Sequence, residues 1–284
     1  MKFSLVQYNP FYPKIGILDS YNEVVDSIHW GFIQMGFQVS RQMNNFDPDA
    51  VNIVFGFQIP LQLGIINNFP SNTIFYNFER YSDSNLKGTA AEYVANNFQI
   101  WDYSLSNIEV WKSLKPRFNP YHAYISHSDN LEKIPSDKLK DIDVLYYGNI
   151  TPDRTDSLQK IAKLKNDLTG LSVVTLCNIW GEQRDEFIAR SKIVVNFSRG
   201  NIFEIVRVSY LMANKIAVVS DFNENLVIES DLRQCLLFAK SEEIMSVCNY
   251  LIEHEDARVS YANKCYQLIK RRRVVNMLQQ FFNF

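Results

Sequence analysis

Short apolar runs that end in polar residues alternate along this chain with segments of helical periodicity. In the first half the runs are Phe3–Tyr8, Val51–Phe55 and Thr73–Asn77, with less regular ones at Ile100–Tyr103 and Tyr121–Ile125. Runs of this length and composition are typical of strands that are buried on both faces of a parallel sheet. The helical segments between them predict repeated strand–helix units, and therefore an α/β fold.

The first helix is predicted from its two ends. Ser20 and Glu23 have the spacing of a capping box, so we expect the helix to begin at Ser20. Apolar residues follow at helical spacing as far as Met35, and Gly36 is a natural stop.

The same alternation restarts after a polar stretch that contains Pro135. We interpret residues 129–140 as a linker between an N-terminal domain, 1–128, and a C-terminal domain, 141–284, with the option that the last helix packs back on the first domain. Strands are predicted at 143–147, 173–176, 193–197 and 216–220, and helices at about 156–168, 184–190, 203–213, 242–254 and 257–280. This pattern fits two Rossmann-like domains facing each other across a cleft, with ligands at the carboxyl ends of the strands.

Composition and charge exclude several classes of protein. Of 284 residues, 46% are hydrophobic and 21% are charged, which indicates a globular chain and not a disordered one. The net charge of -2 offers no basic footprint, so nucleic acid is not an expected partner. The four cysteines form no CxxC pair, and the N-terminal MKFSLVQYNP is too short for a signal peptide. We therefore expect reduced thiols and a cytoplasmic location.

The first of three candidate binding segments is DVLYYGNITPDR, residues 143–154. A predicted strand delivers Gly148 and Asn149 to a turn, and Arg154 lies just beyond it. Glycine lets the backbone approach a ligand closely, and an arginine guanidinium can fork onto a phosphate. A solvated loop charge is the alternative role of Arg154.

The other two segments are IWGEQRDEFIARSKIVVNFS, residues 179–198, and NIFEIVRVSYLMANKIAVVSD, residues 201–221. Asn196 ends the predicted strand of the first segment, and Ser198 follows it. Glu204 and Arg207 lie three residues apart, on one face of the next helix and within its first turns, where backbone N–H groups favour anions. A simple ion pair between these two side chains is the alternative.

The order of these three segments resembles the donor-binding domain of GT-B glycosyltransferases, in particular one bacterial branch. The resemblance implies that Glu204 holds the donor ribose and that Arg154 and Arg207 contact the phosphates. It also implies that a helix N-terminus faces the pyrophosphate, and that Gly148, Asn149, Asn196 and Ser198 line the donor site. It is specific over residues 143–221, whereas FYNFERYSD and WDYSLSN in the first half are only loosely similar to acceptor domains of that branch.

Two departures from the family pattern bear on the chemistry. Many retaining members carry two glutamates in an E-x(7)-E pattern, and the second would fall near Tyr210 of this chain. We therefore expect inversion at the anomeric carbon. The chain is also short for this family, which predicts a compact version of the fold.

Inverting transfer requires a base that deprotonates the acceptor hydroxyl. Asp19, in the loop after the first strand, is the first candidate, and Glu79, after Thr73–Asn77, is the second. The alternative for Asp19 is a helix-start carboxylate that favours the helix dipole. Aromatic residues nearby either stack on an acceptor sugar or belong to the core: Tyr8, Phe11, Tyr12, Phe78 and Tyr81.

No metal or other cofactor is expected. Asp141 and Asp143 precede their strand, and Asp47 and Asp49 lie in a turn, so neither pair follows a strand as a metal-binding carboxylate pair would. Basic side chains and a helix dipole would stabilise the leaving diphosphate instead.

The basic run Lys270–Arg273, followed by apolar Val274, Val275 and Leu278, has two interpretations. It can rest on an anionic membrane, such as the inner membrane face, that carries a lipid-linked acceptor. It can equally be a solvated helix face whose apolar side packs back on the first domain.

The prediction is therefore a glycosyltransferase that moves a sugar from a nucleotide-sugar donor to a glycan, lipid-linked or small-molecule acceptor, as in polysaccharide biosynthesis. Two alternatives remain. A nucleotide-sugar epimerase shares the GT-B architecture but needs several acid and base residues. A non-catalytic nucleotide-sugar-binding module that supports a partner transferase would fit the short chain and the absent second glutamate.

Overall fold

The computed structural model divides the chain into two units. Unit 1 comprises residues 1–130 and 272–284, and unit 2 comprises residues 131–271. The structure describes residues 1–9, 16–57, 69–81, 89–148, 159, 162, 170–198 and 202–283. The final helix, Val274–Phe282, thus belongs to unit 1 although it comes last in the chain.

Unit 1 is built on a parallel sheet of six strands. They are β1 (Lys2–Gln7), β2 (Gln38–Met43), β3 (Val51–Phe55), β4 (Thr73–Asn77), β5 (Gln99–Asp102) and β6 (Tyr121–His122), in the order β2-β1-β3-β4-β5-β6. The three predicted central strands are confirmed to within one residue, because their side chains are buried on both faces. Strand β2 was not predicted, because this edge strand is polar and half exposed and carries no apolar run.

Within its described residues, unit 1 contains the helices α1 (Asn22–Gln34), α2 (Ala90–Asn97), α3 (Leu105–Ser113) and the last helix of the chain, called α9 below. The predicted capping box at Ser20 is wrong. A 3-10 helix, Gly16–Tyr21, runs directly into α1, so the N-cap position is Tyr21 and no side chain caps it. The predicted stop at Gly36 is confirmed, because this glycine has a φ of 80° and the amide of Phe37 donates to the carbonyl of Phe32.

The C-terminal helix α9 (Val274–Phe282) packs on α1 within unit 1. A Cβ at Gly31 would lie 2.9 Å from both Leu278 and Val274, so only glycine allows this approach. Phe281 packs edge-on against Trp101 with ring centroids 4.9 Å apart. Val274 and Leu278 are therefore part of the core of unit 1.

Unit 2 contains a second parallel sheet. Its strands are β7 (Ile142–Gly148), β8 (Val173–Cys177), β9 (Ser191–Asn196), β10 (Ala217–Asp221) and β11 (Leu237–Ala239), in the order β11-β10-β9-β7-β8. Its described helices are α4 (Gly181–Ala189), α5 (Ile205–Ala213), α6 (Ser230–Cys235), α7 (Ile244–Glu253) and α8 (Glu255–Arg271). Most of the helix predicted at 156–168 lies outside the described residues.

The tail predicted to be helical from residue 257 to about 280 is confirmed as helical, but it consists of two helices, α8 and α9, with a break between them. The amide of His127 donates to the carbonyl of Arg272, and the amide of Val274 donates to the carbonyl of His127. Arg273 is consequently extended, with a ψ of 135°, and the helix cannot continue through it.

Both sheets have the strand arrangement of Rossmann-like domains, which confirms the predicted fold class. In unit 1 the first strand lies between β2 and β3, and in unit 2 β7 lies between β8 and β9. Each is a topological switch point, where the chain winds away to both sides and leaves a crevice at the carboxyl ends of the strands. Within the described part of the chain, no helix combines the length and the apolar character needed to cross a membrane.

Candidate functional site

The switch point of unit 2 gathers most of the predicted donor-site residues that the structure describes. Gly148 ends β7 and Asn196 ends β9, and these two strands are neighbours in the sheet. Asn149 and Arg154, which the sequence analysis also assigned to this site, lie outside the described residues.

Asn196 is fully buried and is fixed by two hydrogen bonds. Parallel pairing sets it beside Ser220 of β10, and its Nδ2 donates to the Ser220 Oγ at 2.6 Å. Its Oδ1 accepts from the Arg207 Nη1 at 3.1 Å. Just beyond the strand, the Ser198 amide donates to the Asp221 carboxylate at 2.7 Å. The end of β9 is therefore tied to the end of β10, which makes this edge of the sheet rigid.

Arg207 is held at the same edge by aromatic rings as well as by Asn196. Its guanidinium carbon lies 5.3 Å from the ring centroid of Tyr147 and 5.8 Å from that of Tyr146. Among the described residues no carboxylate lies within ion-pair distance of Arg207, so the alternative of an ion pair with Glu204 is not adopted. A partly exposed guanidinium oriented by neutral partners retains its charge for an anionic ligand.

Glu204 occupies the N-cap position of α5, with φ -76° and ψ 57°. Its side chain does not cap the helix, since glutamate is longer than the residues that favour this position. The half-buried carboxylate thus lies at the helix start, as predicted, one turn before Arg207. The N-terminus of α5 adds the positive end of the helix dipole to this side of unit 2.

A buried ion pair beside Tyr147 was missed by the sequence analysis. Arg184 donates from Nε and Nη2 to the Asp185 Oδ1 at 3.0 and 2.7 Å, and its guanidinium carbon lies 4.7 Å from the Tyr210 ring centroid. The Tyr210 hydroxyl donates to the other oxygen of Asp185 at 2.7 Å. Tyr210, near the place of the absent second glutamate, therefore completes a buried polar network. Arg184 and Asp185 lie on the same buried face of α4 as Ile188, and their helical spacing from this apolar residue is the sequence pattern that could have indicated their burial.

The two candidate bases lie at the carboxyl edge of the sheet in unit 1. Asp19 is half buried in the 3-10 helix and accepts a long hydrogen bond of 3.4 Å from Asn22, which in turn accepts from Gln7 at the end of β1. Glu79 follows β4, and its backbone is held on both sides. Its amide donates to the Asn77 Oδ1 at 3.1 Å, and its carbonyl accepts from Asn77 and Asn107, both at 2.7 Å.

The paired aspartates considered as metal ligands are engaged with cations. Asp141 accepts from Arg190, whose hydrogen bonds lower the pKa of that carboxyl. Asp143 accepts from Lys192 at 2.7 Å, and it lies at the beginning of β7, at the edge of the sheet opposite Gly148.

The aromatic residues proposed for acceptor stacking are mostly packing residues. Tyr8 is buried and packs on Phe46 and Phe69, so it belongs to the core, which is the second of the two roles expected for these residues. Tyr81 packs edge-on against Trp111, and Phe78 stacks on Tyr103 with the ring planes 12° apart. The remaining two, Phe11 and Tyr12, lie outside the described residues.

No model of a known protein family matches this chain. Two proteins of Acanthamoeba polyphaga mimivirus, L137 and L140, are 24% and 26% identical to it over 185 and 183 residues. The matched segments cover 64% and 63% of this chain, but only 24% of L137 and 56% of L140. The chain therefore spans about a quarter of the length of L137 and just over half of the length of L140.

Solved structures match the chain over its whole length. HepE of Anabaena in complex with UDP-glucose has a TM-score of 0.61 at 12% identity, covering 99% of this chain and 98% of HepE. T4 phage BGT in complex with UDP and Mn2+ has a TM-score of 0.62 at 12% identity, covering 100% and 99%. An alpha-glucosyltransferase in complex with UDP and a 13-mer DNA has a TM-score of 0.64 at 12% identity, covering 99% and 98%. The two Rossmann-like units and these similarities together identify the architecture of this chain as the GT-B fold of glycosyltransferases.

Proposed function

We propose that this protein is a glycosyltransferase that takes a sugar from a nucleotide-sugar donor. The observation that carries the proposal is Arg207, whose guanidinium is fixed by Asn196 and Tyr147 at the switch point of unit 2 and has no ion-pair partner among the described residues. Ligands of open α/β sheets bind at this point, and a diphosphate is the anion that a GT-B donor brings there. The GT-B fold of the chain supports the same interpretation.

The donor is proposed to bind at the first turn of α5, between the N-cap residue Glu204 and Arg207. Glu204 would accept hydrogen bonds from the ribose hydroxyls, while Arg207 and Arg154 would contact the diphosphate. Gly148, Asn149 and Ser198 would line the site close to the nucleotide. The structures similar to this chain include complexes with UDP and UDP-glucose, so uridine diphosphate sugars are the first donors to test.

We propose that transfer needs no metal. The positive charge at the donor site comes from Arg207 and the α5 N-terminus, which are suited to a leaving diphosphate. The complex of T4 phage BGT contains Mn2+, so metal dependence has to be measured for this chain.

The acceptor is proposed to be a glycan, a lipid-linked sugar or a small molecule, modified in the cytoplasm where nucleotide sugars are made. One similar structure contains a DNA, which raises nucleic acid as another acceptor. Residues 1–130 and 272–284 contain ten Lys and Arg against eleven Asp and Glu. A unit with this charge balance lacks the excess of cations that binding to a phosphate backbone requires.

The transfer is proposed to invert the anomeric configuration, with the base supplied by unit 1. Asp19 is the candidate that the sequence ranks first. Glu79 has the more rigid backbone, held by three hydrogen bonds to buried asparagines. Preorganised support of this kind is characteristic of side chains that act in catalysis.

Incubation with a panel of nucleotide sugars, with and without simple sugar acceptors, tests the proposal. Transfer to an acceptor, or slow hydrolysis of one donor, supports a glycosyltransferase. Conversion of the donor into a sugar isomer indicates an epimerase, and tight binding without turnover indicates a non-catalytic module. Failure of every nucleotide sugar and nucleoside diphosphate to bind contradicts the proposal.

A further inference from the structure

A buried carboxylate that was not predicted as a site residue is connected by hydrogen bonds to the backbone of one of the candidate bases. Asp102, the last residue of β5, is fully buried and accepts four hydrogen bonds. Its Oδ1 accepts from the Ser104 amide at 2.8 Å and from the Asn107 Nδ2 at 3.2 Å. Its Oδ2 accepts from the Asn77 Nδ2 at 2.7 Å and from the Trp111 Nε1 at 2.8 Å.

Two of these four donors also hold residues 78–81, called the Glu79 loop below. The Asn77 and Asn107 side-chain amides each donate a second hydrogen bond, at 2.7 Å, to the Glu79 carbonyl. Their carbonyl oxygens accept in turn from the Glu79 amide at 3.1 Å and the Tyr81 amide at 3.2 Å. Each asparagine therefore links Asp102 to the backbone of the loop.

The chemistry of Asp102 makes it the anchor of this arrangement. All four partners are donors, so the ionised carboxylate satisfies every one of them, and hydrogen bonds to a charged acceptor are stronger than neutral ones. Burial opposes ionisation and raises the pKa of Asp102 to about 7. A fully buried acid at the carboxyl end of a strand destabilises the fold unless its partners compensate, which favours a role beyond packing.

We propose that Asp102 is a positioning residue that fixes the Glu79 loop for glycosyl transfer. This inference rests on the proposed function, in which Glu79 is one of two candidate bases. Asp102 does not contact a substrate, because it is fully buried. It acts through Asn77 and Asn107, which set the path of the backbone on either side of the Glu79 carboxylate.

Asp102→Asn tests this with little change in volume. Each carboxylate oxygen faces two donors, so the new amide NH2 must point at donors in either orientation. In one orientation Asn107 loses its acceptor, and in the other Asn77 does. One link to the loop is therefore broken whichever way the amide turns.

Two readouts are compared with a matched control. Thr89→Ala removes the N-cap hydrogen bond of α2, which lowers the stability of unit 1 without touching the Glu79 loop. In Asp102→Asn, hydrogen exchange at the Glu79 and Tyr81 amides should accelerate at least about tenfold beyond the control. The kcat should fall at least about tenfold with the donor KM unchanged, because the geometry of the reacting groups is lost while donor binding is not.

A double variant separates positioning from general damage. If Asp102 acts through Glu79, Asp102→Asn should cause no further loss of kcat in the Glu79→Gln background. An equal loss in both backgrounds, or a kcat and loop exchange at the level of Thr89→Ala, overturns the inference. Should Asp102→Asn not fold, Asn107→Ala removes one link and carries the same expectations. A wild-type protein that neither binds nor turns over nucleotide sugars refutes the proposed function instead, while loop exchange still reports on Asp102.

Discussion

Removing the charge of Arg207 is the most direct test of the donor site. In Arg207→Gln the amide can still donate to Asn196 and fill part of the space beside Tyr147, but the positive charge is lost. If the guanidinium contacts the donor diphosphate, the variant loses a hydrogen bond between charged groups. Such bonds contribute about 1.5–3 kcal/mol, so the Kd of a nucleoside diphosphate should rise about 10- to 150-fold.

The fold should tolerate this change. Arg207 is partly exposed, and even complete loss of its one hydrogen bond to the buried Asn196 would cost only about 1 kcal/mol of stability. Arg207→Lys should fall between the wild type and Arg207→Gln, because an ammonium keeps the charge but cannot stack on Tyr147 or form two parallel hydrogen bonds.

Arg190→Gln is the matched control. It makes the same change of charge in the same unit, but Arg190 pairs with Asp141 at the surface, away from the carboxyl edge of the sheet. An exposed pair of this kind contributes at most about 1 kcal/mol to stability. Calorimetric titration with UDP, and with other nucleoside diphosphates, at one fixed ionic strength measures all variants. Equal affinity in Arg207→Gln and Arg190→Gln would refute the assignment of Arg207 to the diphosphate.

Glu204→Ala should weaken nucleotide binding by about 1–3 kcal/mol, and unchanged affinity in calorimetry would remove Glu204 from the ribose site. Asp19→Asn should lower turnover about 100-fold or more while the donor affinity stays nearly constant. Full activity of this variant, together with an inactive Glu79→Gln, would assign the base to Glu79. A product with retained anomeric configuration would contradict inversion. Activity should persist in EDTA, whereas loss in EDTA and recovery with manganese or magnesium would contradict metal independence. Burial raises the pKa of Asp102 to about 7, so between about pH 4 and 7 the native protein binds a proton that the unfolded chain releases. Stability should therefore fall as pH rises through this window, by up to about 1.4 kcal/mol per pH unit, and Asp102→Asn should flatten that slope in denaturant titrations.

Local patterns in the sequence determined the central strands of unit 1 and the start of helix α5. Val51–Phe55 and Thr73–Asn77 were located because a strand buried on both faces needs a continuous apolar run. Glu204 and Arg207 were placed in the first turn of a helix from their spacing, and α5 begins at Ile205. The positions of such strands and helix starts depend on residues that are close together in the sequence, so a local sequence pattern is enough to predict them.

Tertiary structure alone decided which polar residues are buried and where the tail helix breaks. Asp102 and Arg184 are charged residues, and a sequence gives no reason to bury them until their partners are known: two asparagines and a tryptophan for Asp102, an adjacent aspartate and a distant tyrosine for Arg184. The break between α8 and α9 depends on hydrogen bonds to His127, more than a hundred residues earlier in the chain. Burial of a charge is favourable only when its partners are already in place, and chain folding brings those partners together from positions that no local pattern connects.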